Sequence, residues 1–125
     1  MHRSKLAGFI IDCETDDLDA AADFWSAALG MPKNKADDPA ESAYVKLDND
    51  RGMHIEVQQV SHTSRVHLDI ESDDIDAEAR RLEALGAKRI GKVRTWVVME
   101  APTGQRFCIV RPQSERFTDD ANAWD

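Results

Sequence analysis

His67 and Asp69 stand two residues apart in RVHLDI (residues 65–70), and Glu56 and Gln58 stand two apart in HIEVQQV (residues 54–60). In a β-strand that spacing puts both members of a pair on one face. Cys108 alternates in the same way with Arg106 in RFCIV. Imidazole, carboxylate and thiolate are the side chains that ligate borderline divalent metals, and the first two also carry protons in general acid–base catalysis. The chemistry within reach is metal-assisted or acid–base work. If the polar phase faces water instead, it is the outer side of an ordinary half-buried sheet, and His67 is a hydrogen-bonded histidine with no catalytic task.

The elements that must position these residues are repeated. IIDCETDDLDA at residues 10–20 is answered by HLDIESDDIDA at residues 67–77. In each copy an alternating strand runs into an acidic pair, Asp16-Asp17 or Asp73-Asp74, suited to a helix N-cap and to the positive end of the helix dipole. A helix follows, with Leu18, Ala22, Trp25 and Leu29 at helical spacing before Gly30, or Ile75, Ala79, Leu82 and Leu85 before Gly86. Three strand-like runs complete each half, around residues 33–37, 42–48 and 52–60, and around 88–92, 95–101 and 105–111. GMHIEVQQV from Gly52 lies over GQRFCIVRP from Gly104.

Each half therefore reads β-α-β-β-β, and neither alone buries both a sheet face and a helix stripe. The expectation is one α+β domain over residues 1–125, with module one at about 5–60, module two at about 65–112 and a tail at 113–125. Its single sheet would carry both helices on one convex side. The apolar phase expected under the helices is Phe9, Ile11, Val45, Leu47, Ile55, Val57, Leu68, Ile70, Val97, Met99, Phe107 and Ile109. The opposite phase holds the chemistry: Asp12, Tyr44, Lys46, Glu56, Gln58, His67, Asp69, Trp96, Arg106 and Cys108, with Ile10 among them.

Composition narrows the function classes. A chain of 125 residues suits one domain with its own core. A net charge of -8, with no basic cluster interleaved with aromatics, argues against nucleic acid as a partner. The apolar run Leu6–Ile11 stops at Asp12, too short for a signal-peptide core or a membrane span, so the expected location is the cytoplasm. Two isolated cysteines agree with a reducing compartment, and Cys13 alternates in phase with Phe9 and Ile11 as a small core hydrophobe. His2 and His62 are expected in solvent, and His54 partly so.

VHLDI opening module two, the D-D-[LI]-D-A helix starts, LGA closing the second helix and APTGQRFCIV ending module two together resemble the glyoxalase / bleomycin-resistance / extradiol-dioxygenase superfamily, also called vicinal oxygen chelate, and in particular its small glyoxalase-like branch. The resemblance covers residues 5–111 and extends to the tail RPQSERFTDDANAW. It implies one curved eight-stranded sheet forming a cup, with metal ligands supplied by the first and last strands of each module. Carried over position by position, those slots fall on Ile10, Glu56, His67 and Cys108. Ile10 cannot ligate and Cys108 puts a thiol where a carboxylate is usual, so the implied metal set is Glu56, His67 and Cys108. Asp12 or Gln58 could make up the deficit, and the thiolate favours zinc over magnesium.

Two functions follow from the resemblance. One is a lyase or isomerase using the cup as its active site, assisted by a divalent metal such as Zn, Ni, Mn or Fe, with Glu56 and His67 catalytic and with Asp12, Tyr44, Gln58, Asp69, Trp96 and Arg106 contacting a small molecule. The other is a metal-free protein that sequesters a small molecule, as in bleomycin resistance, with no cofactor at all. Structural roles compete at several positions. Asp12 and Asp69 are equivalent under the repeat and could bond rim amides, Tyr44 and Trp96 could fill the cup, and Arg106 and Lys46 could neutralise its carboxylates. Phe117 and Trp124 should dock the tail on the body or on a second subunit of a homodimer.

Overall fold

A computed structural model describes all 125 residues. They form two compact units, Phe9–Val66 and Met1–Gly8 together with His67–Asp125. The strand β1 (His2–Glu14) belongs to both, because the division falls within it. It is longer than the repeat indicates, since residues 2–8 extend it toward the N-terminus.

The first unit, Phe9–Val66, continues with α1 (Leu18–Leu29), β2 (Lys33–Asn34), a 3-10 turn (Pro39–Glu41), β3 (Tyr44–Leu47) and β4 (His54–Val60). Its hydrogen-bonded order is β2-β3-β4-β1, with the β2–β3 and β3–β4 pairs antiparallel. Asp17 caps α1, its Oδ1 accepting from the Ala20 N–H at 3.0 Å. Gly30 ends the helix at φ 67°, a left-handed conformation that glycine adopts without a Cβ clash. The stripe Leu18 and Ala22 packs on Val45, Leu47, Ile55 and Val57, with Phe9, Cys13 and Trp25 at the border of this cluster. The strand expected over 33–37 shrinks to two residues because Asp38 and Pro39 start the 3-10 turn, Asp38 Oδ1 accepting from the Ala40 N–H.

The second unit holds β5 (Arg65–Ser72) from His67 onward, α2 (Ile75–Ala84), β6 (Lys88–Val93), β7 (Trp96–Glu100), β8 (Arg106–Val110), α3 (Phe117–Asp120) and β9 (Asn122–Trp124). Its order is β1-β5-β8-β7-β6, with β9 added on β1. The β5–β8 pair is parallel, and the β6–β7, β7–β8 and β1–β9 pairs are antiparallel. The chain is thus an α+β fold on a mixed open sheet whose eight module strands are joined by the short β9, each module reading β-α-β-β-β. No helix is long and apolar enough to cross a membrane.

Asp74 caps α2 through the Ala77 N–H at 3.0 Å, and Ala79, Ile75 and Leu82 pack on Val97, Met99, Phe107, Ile109 and Ile70. Leu68 does not join this core, being 50% exposed. The reason is reach: α2 lies over β6, β7 and β8, leaving the start of β5 uncovered. Leu85, expected in the apolar stripe, is the exposed C-cap of α2.

His2 is also a correction, for it is buried rather than solvated. The strand β1 begins at this residue, pairs with Trp124 of β9, and aims the ring at Glu78 of α2, with Nε2 2.8 Å from Oε1. Glu78 is fully buried and also accepts from Ser4 Oγ at 2.7 Å and from Arg81 Nε and an Arg81 terminal nitrogen at 2.9 and 2.8 Å. Burial alone would raise its pKa. The hydrogen bonds from Arg81, His2 and Ser4 and the Arg81 charge outweigh that and hold it at about 2. The tail closes the same cluster: Trp124 Nε1 donates to Ser4 Oγ at 2.8 Å, and the Arg81 guanidinium lies 3.8 Å from the Trp124 ring centroid. Phe117 is buried as well, so the two tail aromatics dock within this unit.

Candidate functional site

In the second unit the β5–β8 register sets Asp69 beside Cys108, and alternation along β5 brings His67 onto the same face. Their opposite neighbours Ile70, Phe107 and Ile109 are committed to the core under α2, which fixes which way the polar phase points. As a result one ligand atom each from His67, Asp69 and Cys108 lies within 4.8 Å of the other two. His67 Nε2 and Asp69 Oδ1 are 3.5 Å apart, and both side chains are largely buried. Asp69 Oδ1 has no aligned hydrogen-bond donor, a costly state for a buried carboxylate oxygen.

That arrangement suits a cation. Two ligands at about 2.1 Å from a tetrahedral metal are about 3.4 Å apart, close to the observed nitrogen–oxygen distance. One imidazole, one carboxylate and one thiolate make three protein ligands, the number that leaves a fourth position open to water or substrate. A thiolate in the set selects softer ions such as zinc over magnesium.

The same face continues across β8 and β7. Val98 lies opposite Cys108, and Glu100 opposite Arg106. Trp96, at the start of β7, has the Arg94 guanidinium 5.9 Å from its ring centroid. Arg106 is half-buried, with no carboxylate within salt-bridge distance, and exposed Lys46 of the first unit likewise lacks one. The expectation that these two cations neutralise site carboxylates is therefore not met. Neither sits where an acid's oxygens reach it, although Glu100 and Glu56 are their cross-strand neighbours.

In the first unit, Glu56 has a partner that the sequence did not single out: His54, one strand repeat before it, places Nε2 2.6 Å from Glu56 Oε1. Both side chains are mostly buried. Gln58 Nε2 donates to the Tyr44 hydroxyl at 2.9 Å across the Tyr44–Gln58 register pair. Asp12 is buried, its Oδ2 3.8 Å from Arg65 Nε. Ile10 is 3% exposed. Burial, then a Trp25 hydrogen bond acting the other way and the Asp12 charge, leave the Cys13 thiol with a raised pKa, in keeping with an inert core thiol. Of the three residues expected to ligate a metal, His67 and Cys108 come together within one unit, and their companion there is Asp69. The signal for Asp69 was present in the sequence as the i, i+2 spacing His-x-Asp; the β5–β8 register that supplies the thiol was not.

The sequence over residues 8–110 matches the family model described as a glyoxalase-like domain. No curated protein matches it. Among solved structures, methylmalonyl-CoA epimerase from Mycobacterium tuberculosis is similar with a TM-score of 0.63 at 17% identity, over 88% of this chain and 89% of that one. A methylmalonyl-CoA epimerase in complex with methylmalonyl-CoA gives 0.57 at 14% identity, over 90% and 98%. The Mn(II)-bound glyoxalase from Novosphingobium aromaticivorans gives 0.59 at 15% identity, over 93% of this chain but 44% of that one. At such identities the likeness is one of fold.

Proposed function

The chain belongs to the glyoxalase-like domain family, and from that premise we propose that it is an isomerase or lyase acting on a small oxygenated molecule, with a divalent cation held by His67, Asp69 and Cys108. The observation that carries this is the convergence of three unlike donor atoms within 4.8 Å on one sheet face. The lack of a hydrogen bond to the buried Asp69 Oδ1 supports it, as does the metal in one of the similar structures. Bound there, a zinc-class cation would polarise a carbonyl and stabilise negative charge on its oxygen. The chain's own residues do the rest. Val98 and Trp96 give the face an apolar edge that limits water, and Arg106, two residues from Cys108 on β8, adds a positive charge to that face. Within Phe9–Val66, taken by itself, Glu56 with His54 bonded to it is proposed as a proton-carrying pair, and Asp12, Tyr44 and Gln58 as residues able to contact a small molecule. A two-fold dimer is part of the proposal and is read by sedimentation.

A second reading is favoured by Ile10, buried and apolar where the family resemblance places a ligand: a metal-free protein that sequesters a small molecule. Elemental analysis of protein purified without a metal-affinity tag, followed by proton–deuterium exchange of small enolisable carbonyl compounds in D2O, separates the two. Stoichiometric metal with exchange that depends on it supports the enzyme. Absence of metal after saturation with zinc, nickel, manganese and iron, together with absence of exchange, supports sequestration.

A further inference from the structure

Arg106 stands on the same sheet face as the donor cluster and is not used by it. Several of the 16 cations, Arg3 and Arg111 among them, have no carboxylate within salt-bridge distance, and Arg106 is one of these. It is also half-buried. Glu100 stands directly across the β7–β8 pair, yet its oxygens lie beyond salt-bridge distance. Alternation along β8 puts Arg106 on the face of Cys108, about 7 Å along the strand, since two residues rise by about that much. The donor cluster and the guanidinium therefore border the same surface, one beyond the other, with Val98 beside Cys108 as an apolar neighbour.

We infer that the molecule bound at His67, Asp69 and Cys108 is a small carboxylic acid bearing a carbonyl or hydroxyl group, and that Arg106 is the receptor for its carboxylate. This rests on the donor cluster being the binding site. A guanidinium offers a planar pair of N–H donors matched to a carboxylate, and desolvation on both sides makes the pairing selective for the ionised acid over a neutral ester. The oxygen function a few bonds away then reaches the donors. An amide or ester of the same skeleton loses the first contact and keeps the second.

The experiment compares 4-oxopentanoate, whose ketone and carboxylate are separated by two methylenes, with its methyl ester by calorimetric titration into zinc-loaded and zinc-free protein. Wild-type protein should prefer the acid at least tenfold, Arg106→Gln should erase that preference, and Arg106→Lys should restore part of it. The zinc affinity of all three should agree within twofold, which shows that the variants fold and that Arg106 is not a ligand. In zinc-free protein the acid should bind more weakly but still depend on Arg106. That arm reads the inference even if no metal is ever bound, so the two ideas fail separately. Equal affinity for acid and ester, or an undiminished preference in Arg106→Gln, overturns the inference.

Discussion

Replacing Glu78 by Gln removes one charge from a fully buried position and leaves the side-chain volume unchanged. The native carboxylate accepts from His2, Ser4 and twice from Arg81, and its pKa falls from the usual 4.5 to about 2. At about 1.4 kcal/mol for each tenfold change in proton affinity, that drop is equivalent to about 3 kcal/mol of folding stability at neutral pH. Because the folded pKa is depressed, the contribution is whole above pH 4.5 and is lost as pH falls from there toward 2. Urea unfolding of wild type and Glu78→Gln at pH 7, 5, 3.5 and 2.5 should show a gap of about 3 kcal/mol at the first two values that narrows at the last two. A gap below 1 kcal/mol at pH 7, or one that stays constant down to pH 2.5, would mean that the ionised carboxylate does not stabilise this cluster.

Gly86 has φ 108°, and a Cβ there would sit 3.1 Å from Pro102 Cγ, whereas Gly30 at φ 67° has open space. Thermal unfolding should therefore place Gly30→Ala about 1 kcal/mol below wild type, and Gly86→Ala lower still. Glu71 is fully buried and accepts from the Gln113 N–H, the Ser114 N–H and Ser114 Oγ, so Glu71→Ala should cost about 2 kcal/mol and speed hydrogen exchange at residues 113–120. Unchanged exchange there would show that the tail docks without Glu71.

The repeat made the module architecture legible because both copies keep the same local chemistry: an alternating strand, an aspartate cap and a glycine stop. Asp17, Asp74 and Gly30 behave as their residue types dictate, since capping needs only neighbours in sequence. Leu68 does not, because alternation says which phase is apolar but not how far a helix reaches along the strand. His2 and Glu78 were illegible for a related reason. Their pairing spans the long distance between β1 and α2 and depends on β9 closing over the start of β1. At the site, the faces of His67, Asp69 and Cys108 followed from period-two alternation, while their convergence needed the parallel β5–β8 register, which no local pattern encodes.

The central claim is that His67, Asp69 and Cys108 form one metal centre, and cobalt(II) reads all three ligands at once. Titration of wild-type protein with Co2+ should give visible bands of a four-coordinate ion together with a near-ultraviolet thiolate-to-cobalt charge-transfer band, both saturating at one equivalent. Cys108→Ser should lose the charge-transfer band, and His67→Ala and Asp69→Asn should each weaken binding at least tenfold. A wild-type spectrum of six-coordinate aqueous cobalt with no charge-transfer band would contradict the account and leave these residues without a metal to hold.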